Sequence, residues 1–258
     1  MKNSMQKLLL MLAIILCTSS LALAEEESSR TLAQANNPLA NIKTLNFHNY
    51  YLPSLYGADD ASVNQMFIRY AQPIGRVLIR ASLPITTISD GNGHYDSGVG
   101  NFNIFGSYLL TDPSESSQFG VGPMLSAPAG KSSLGTERWQ AGLAAVAFIA
   151  NNPKLQYGGL VTWQTDFAGN GNDKTNVMNV QPFVILQLGG GTYLRSSAVW
   201  TFDFENGGTN IPFGLGIGRI TRIDKMVFNL FAEAQYTVFN DNFAGSKYQI
   251  FAGINTQF

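Results

Sequence analysis

The sequence predicts an all-β protein, an antiparallel transmembrane β-barrel of about twelve strands with an N-terminal signal peptide. Three observations predict it. The 258-residue chain is 45% hydrophobic and 12% aromatic but only 13% charged, where a soluble domain carries roughly 25% charged residues. Its apolar residues recur with period two, the pattern of strands with one face in an apolar phase. Its connections alternate between short turns and longer polar loops, as in barrels that cross a membrane. This much apolar surface excludes a disordered chain. With 16 Lys+Arg against 17 Asp+Glu and no basic stripe, nothing points to a nucleic-acid partner.

Residues 1–24 read as the signal peptide. Lys2 and Lys7 form a positive start, Leu8 to Ala24 runs without charge, and Ala22-Leu23-Ala24 is a small-x-small cleavage site before Glu25-Glu26-Glu27. The single cysteine, Cys17, falls inside this segment, so the exported chain is expected to hold itself together without disulfides. Residues 25–41 are polar, lack a strand pattern, and read as a periplasmic lead-in to a barrel over 42–258.

Beyond residues 1–24, the longest strongly apolar stretch is Ala141 to Ala150, too short for a membrane helix, which needs about 20 residues. The strand segments fall instead near 42–51, 63–73, 76–87, 99–110, 118–128, 139–149, 155–167, 177–188, 192–204, 210–220, 226–238 and 247–258. Their alternation assigns faces. Val77, Ile79, Ala81, Leu83 and Ile85 oppose Leu78, Arg80, Ser82 and Thr86; Phe102, Ile104 and Tyr108 oppose Asn101, Asn103 and Ser107. Late in the chain, Phe228, Leu230, Ala232, Ala234 and Tyr236 oppose Asn229, Glu233, Gln235 and Thr237. Tyr248, Ile250, Ala252 and Ile254 oppose Gln249, Asn255 and Gln257. Pro73-Ile74-Gly75, Asn151-Asn152-Pro153, Gly189-Gly190-Gly191 and Thr221 to Lys225 are the short connections, and Thr111 to Ser117 is intermediate. The longer ones are Leu52 to Ser62, Ile88 to Gly98, Ala129 to Arg138, Ala168 to Asn176 and Phe239 to Ser246.

A sheet in lipid must close on itself, because no N–H or C=O can be left unpaired there. The apolar set then faces lipid and the polar set the lumen. Tyr51, Tyr70, Trp139, Trp163, Trp200, Phe204, Phe239 and Tyr248 are expected in the interfacial aromatic girdles. The terminal aromatic Phe258 closes the last amphipathic strand and looks like the assembly signal read by the barrel assembly machinery.

A family resemblance runs through residues 37–258. It rests on Asn37-Pro38-Leu39-Ala40, Ser97-Gly98-Val99-Gly100-Asn101, Gly120-Val121-Gly122-Pro123 and Trp139-Gln140-Ala141-Gly142. Trp163 with Phe167-Ala168-Gly169, Val180-Gln181-Pro182-Phe183, and Pro212-Phe213-Gly214-Leu215-Gly216-Ile217-Gly218 continue it. In order and spacing these resemble the outer-membrane family named for the meta-pathway of phenol degradation. The resemblance implies a transporter of aromatic or hydrophobic compounds and brings no catalytic residues.

Other motifs are weaker. Gly214-x-Gly216-x-Gly218 lacks the following helix of a nucleotide loop; in a strand, such glycines relieve crowding. Asp90-Gly91-Asn92-Gly93-His94 and Gly169 to Asp173 are incomplete as calcium loops. His48 and His94 are the only histidines, and no Gly-x-Ser-x-Gly elbow exists. His48 is therefore expected to be a hydrogen-bonding group of the lumen. No enzyme, metal or cofactor is expected.

Charged residues placed mid-strand on the polar face carry the functional expectation. Arg69, Arg80, Asp166, Arg195, Asp203 and Glu233 should face the lumen, because Arg or Lys toward lipid at mid-depth costs roughly 2–4 kcal/mol. They are candidates for a constriction that filters solute, or for ion pairs that fill a narrow barrel. Gln140, Gln156, Gln164, Asn179, Gln181, Gln235 and Gln249 could complete either network. Phe105, Phe148, Phe183 and Phe251 are candidate apolar lumen residues suited to aromatic solutes. The sequence thus favours a passive channel in the bacterial outer membrane, with lipid, the assembly machinery and a small-molecule solute as partners. The alternatives are a closed barrel with a structural or surface-interaction role and, more remotely, a barrel enzyme.

Overall fold

A computed structural model describes residues 34–128, 131–170 and 174–258. The expected signal peptide, and the lead-in up to residue 33, lie outside the described residues. The strands are β1 (Thr44–Leu55), β2 (Ser62–Ile74), β3 (Val77–Ser89), β4 (Tyr95–Val99), β5 (Phe102–Leu109), β6 (Ser117–Ala127) and β7 (Arg138–Asn152). They continue as β8 (Leu155–Gly169), β9 (Asn176–Gly189), β10 (Thr192–Ser196), β11 (Trp200–Asp203), β12 (Gly208–Ile223), β13 (Met226–Asp241) and β14 (Ser246–Gln257).

Each strand pairs antiparallel with its neighbours, and β14 returns to β1 from Thr44↔Gln257 to Leu55↔Ser246. The sheet is therefore a closed barrel without edges. β4 and β5 form one interrupted stave beside β3, and β10 and β11 form another between β9 and β12, so the barrel has twelve staves. The two interruptions are what the sequence pattern did not show. At the second, side chains replace the lost ladder bonds. Ser197 N–H donates to Glu233 Oε1 at 2.8 Å, and Ser197 C=O accepts from Gln181 Nε2 at 2.9 Å. A backbone group buried at a break needs such a partner.

One end of the barrel carries the tight turns. Gly75, Gly190, Gly191 and Asp224 take positive φ there, which glycine adopts freely. The other end carries the longer connections, several of them tied down: Lys131 and Ser133 bond Asp96, and Lys247 bonds Asp59. The two faces separate by parity. On β12, Phe213, Leu215 and Ile217 are exposed outward; on β13 and β14, Leu230, Tyr236, Val238, Ile250 and Ile254 join them. Inward are Asn229, Glu233, Gln235 and Thr237, all buried. Of the expected girdle residues, Trp200 is half-buried, its indole N–H bonded to Pro212 C=O at 3.1 Å; the others are exposed.

The glycine triplet has a packing role. Gly214, Gly216 and Gly218 lie on the inward face of β12, opposite large neighbours. A Cβ on Gly214 or Gly216 would run into Glu233, and one on Gly218 would overlap the Tyr193 ring. Tyr193 is fully buried and donates its hydroxyl to Asn229 Oδ1 at 2.6 Å. Gly218→Ala is therefore expected to destabilise the barrel by ~1–3 kcal/mol, the usual cost of overpacking. Gly106→Ala, whose nearest obstacle is Val77 Cγ1 at 3.9 Å, should leave stability nearly unchanged. Urea unfolding of the two variants in detergent, followed by tryptophan fluorescence, checks the difference.

Residues 34–42 do not hang below the barrel. They enter it at the tight-turn end, beginning with a short 3-10 turn, Gln34–Asn36. Ala35 packs in a cluster with Ile185, Tyr193, Ile220, Val227, Phe231 and Phe251. Leu39, 1% exposed, packs in a second cluster with Ala71, Leu78, Leu109 and Val146. Asn37 donates to Gln118 Oε1 at 3.0 Å, Asn229 donates to Asn36 Oδ1 at 2.8 Å, and Gln257 donates to Ala35 C=O at 3.1 Å. The segment thus bonds to staves on opposite walls and crosses the interior.

Candidate functional site

Above this segment lies a lumen chamber of about 170 Å³. Its floor is residues 35–40, and its walls come from most of the barrel. Arg69, Arg80 and Arg195 all line it, together with His48, Phe105, Phe183, Phe231 and Phe251. Among the described residues, no aspartate or glutamate lines it.

Antiparallel register explains the clustering. On the shared face of β2 and β3, Arg69 pairs with Ser82 and Arg80 with Ala71, so the two guanidinium-bearing residues are diagonal neighbours, roughly 7–8 Å apart at their backbones. Asn46 stands across from Arg69 on β1. Tyr50, two positions beyond His48, stacks on Phe251 at 4.2 Å between ring centres.

The three arginines differ in their partners. Arg195 is neutralised: its Nε donates to Glu233 Oε2 at 2.9 Å, and its NH2 group donates to Ser197 Oγ at 2.6 Å. Glu233, with its side chain fully buried, also accepts from Ser197 N–H, Ser197 Oγ and Gln235 Nε2. All its acceptor capacity is taken. Arg69 donates to His48 Nδ1 at 2.6 Å, which leaves the His48 proton on Nε2, bonded to Asn255 Oδ1 at 2.6 Å. Its guanidinium also lies 4.3 Å from the Phe67 ring centre. Arg80 lies 4.4 Å from the Phe105 ring centre, and among the described residues no acceptor or carboxylate bonds it. The Nε atoms of both Arg69 and Arg80 are buried without a partner, as is Asn46 Oδ1. A cation removed from bulk water without a counter-charge costs several kcal/mol. A ring face offsets about 2 kcal/mol of that when desolvated. Water or an anion must supply the remainder.

The other expected charges stand apart from this chamber. Asp166 accepts from Arg138 Nε at 2.6 Å and from Thr175 N–H at 2.8 Å, at the long-loop end of β8. Asp203 is a correction to the expected constriction. It caps the turn after β11, accepting from the N–H groups of Glu205 and Asn206 and from Asn206 Nδ2. Position along the stave, which alternation does not encode, separates these acids from the arginines. Of the expected apolar residues, Phe105, Phe183 and Phe251 line the chamber. Phe148 is buried beside Phe183, with ring centres 6.3 Å apart, and does not. Phe231 and Phe67 were passed over, although the parity that placed Glu233 and Arg69 inward applies to them equally. Phe231 sits under Arg195, 3.7 Å from its guanidinium carbon.

Toward the long-loop end the glutamine network closes on itself. Gln164 donates to Gln140 Oε1 at 2.5 Å, Gln140 to Thr136 Oγ1 at 2.7 Å, and Ser126 to Gln164 Oε1 at 3.2 Å. The Asp90 loop is likewise self-contained. The Asn92 N–H, then the His94 N–H and ring, hold the Asp90 carboxyl below its ordinary pKa range. Those oxygens already have donors and are not arranged for a cation. Among the described residues no group of three or more His, Cys, Asp or Glu could hold a metal.

No family model matches the chain, and no curated protein matches it. Solved structures do. An outer membrane channel from Pseudomonas putida F1 superposes with a TM-score of 0.60 at 16% identity, over 84% of this chain and 94% of that one. The NanC porin superposes with a TM-score of 0.50 at 9% identity, over 83% of this chain and 98% of that one. At these identities the likeness establishes the fold alone: this chain is a closed antiparallel barrel of twelve staves, and the structures it superposes on are an outer membrane channel and a porin.

Proposed function

We propose that the chain is a passive outer-membrane channel for small molecules, with aromatic or hydrophobic compounds as its favoured solutes. The observation that carries this is the chamber inside a closed barrel, where guanidinium groups and aromatic rings meet around about 170 Å³ of space. That is the size of cavity that accepts one aromatic ring, since apolar cavities of about 150 Å³ take up benzene. The likeness to outer-membrane channels and porins, and the resemblance to the phenol-degradation family, point the same way. So does the signal-like start of the chain, which would export it to the outer membrane. There the β14 strand ending at Phe258 would serve as the signal to the assembly machinery. A catalytic role finds no support at His48, whose two ring nitrogens are engaged by Arg69 and Asn255 rather than by a hydroxyl nucleophile.

One observation favours the closed-barrel alternative: residues 34–42 cross the interior at the tight-turn end. Conductance separates the two. The folded protein in planar bilayers should show discrete channel steps. Arg80→Ala should lower the chloride-over-potassium permeability ratio by about twofold or more, because a ring of fixed charge sets ion preference. Silence from correctly folded protein would end the channel assignment in favour of a structural one.

A further inference from the structure

We infer that Arg69 and Arg80 form a binding subsite for the carboxylate of a small organic acid whose apolar body rests in the adjoining chamber. This rests on the channel reading for its purpose but not for its chemistry. Among the described residues, the chamber is lined by three arginines and no acid. Glu233 is saturated by Arg195, Ser197 and Gln235. Asp166 and Asp203 are committed to Arg138 and to a turn. Among the described residues, two positive charges therefore remain without a carboxylate, on adjacent strands and the same face. Both carry a buried, unpartnered Nε.

A purely structural cation would be expected to have found an acid or a carbonyl. Here Arg80 has the Phe105 ring face, and Arg69 has the Phe67 ring face and the lone pair of the neutral His48 Nδ1. Stacking of this kind holds the guanidinium plane while leaving its edge N–H groups to donate. A carboxylate matches that edge with two parallel hydrogen bonds. The remaining wall is apolar: Phe105, Phe183, Leu78 and Leu39 border the same space. An anionic head beside an apolar pocket selects an amphipathic anion over both a neutral ring and a simple ion. The volume limits the body to about one ring.

Three probes of one shape test this: benzoate, neutral benzamide and cationic benzamidine, titrated calorimetrically into the folded barrel in detergent. Benzoate should bind at least tenfold tighter than benzamide, and benzamidine should not bind. Arg69→Gln and Arg80→Gln, each confirmed as folded by its heat-dependent gel shift, should each weaken benzoate about tenfold and leave benzamide within twofold. Equal affinity for benzoate and benzamide would overturn the inference, as would unchanged benzoate affinity in both variants. Acetate binding as tightly as benzoate would overturn the apolar half of it. Should the variants not fold, the comparison of the three probes on the native protein decides alone. Channel steps without a preference for benzoate would leave the channel standing and end this inference. Benzoate binding without channel steps would do the reverse.

Discussion

Glu233→Leu is expected to be the most destabilising single substitution in the lumen, at about 3–5 kcal/mol, the usual result of removing one partner from a buried ion pair. The carboxylate is fully buried and holds four donors from three residues: Arg195 Nε, Ser197 N–H, Ser197 Oγ and Gln235 Nε2. Its loss strands the Arg195 charge and also the main-chain N–H at the break between β10 and β11. It would do so in a stave that already lacks ladder bonds there. The midpoint of urea unfolding in lipid or detergent should fall sharply. The double variant Glu233→Leu with Arg195→Met should recover a large part of the loss, because no uncompensated charge remains. An unchanged midpoint in the single variant would mean that Arg195 is hydrated through the lumen and that the pair contributes little.

On the channel reading, removing residues 25–42 is expected to raise single-channel conductance several-fold. The described part of that segment bonds Gln118 on β6, Asn229 on β13 and Gln257 on β14. It also floors the chamber. No other element of the described residues spans the interior. The deletion should also cost stability, since burying one Leu side chain such as Leu39 contributes roughly 1.5–3 kcal/mol. A conductance equal to that of the full chain would show that ions already pass beside the segment. In that case the guanidinium and aromatic ring of the chamber, not its floor, would be the narrowest point.

Much of the barrel was legible from residue order. The twelve segments match the twelve staves to within a few residues, because each stave must turn alternate side chains to two different media. That demand writes period two directly into the chain. Inward placement of Arg69, Arg80, Arg195 and Glu233 followed from the same parity. The G-x-G-x-G stretch was readable as relief of crowding, but its cause was not. Glu233 and Tyr193 need that space, and they reach β12 from β13 and β10.

Sequence by itself determined the fold class, the number of staves, which face of each strand is apolar, and that no nucleotide or hydrolase motif is present. These depend on local alternation, turn chemistry and composition. Tertiary structure alone decided which inward charges meet. Arg195 and Glu233 lie on staves that are not neighbours, with β12 between them. Asp203, close to Arg195 in the chain, ends at the opposite rim holding a turn. It also decided that an unpatterned stretch at 34–42 enters the lumen, since a segment held by single side-chain hydrogen bonds and two small apolar contacts has no periodicity to reveal it. The same closure of the sheet leaves two arginines without an acid among the described residues. Charge balance along a chain does not fix charge balance within a lumen, because strand stagger and depth sort the residues into different layers of the barrel.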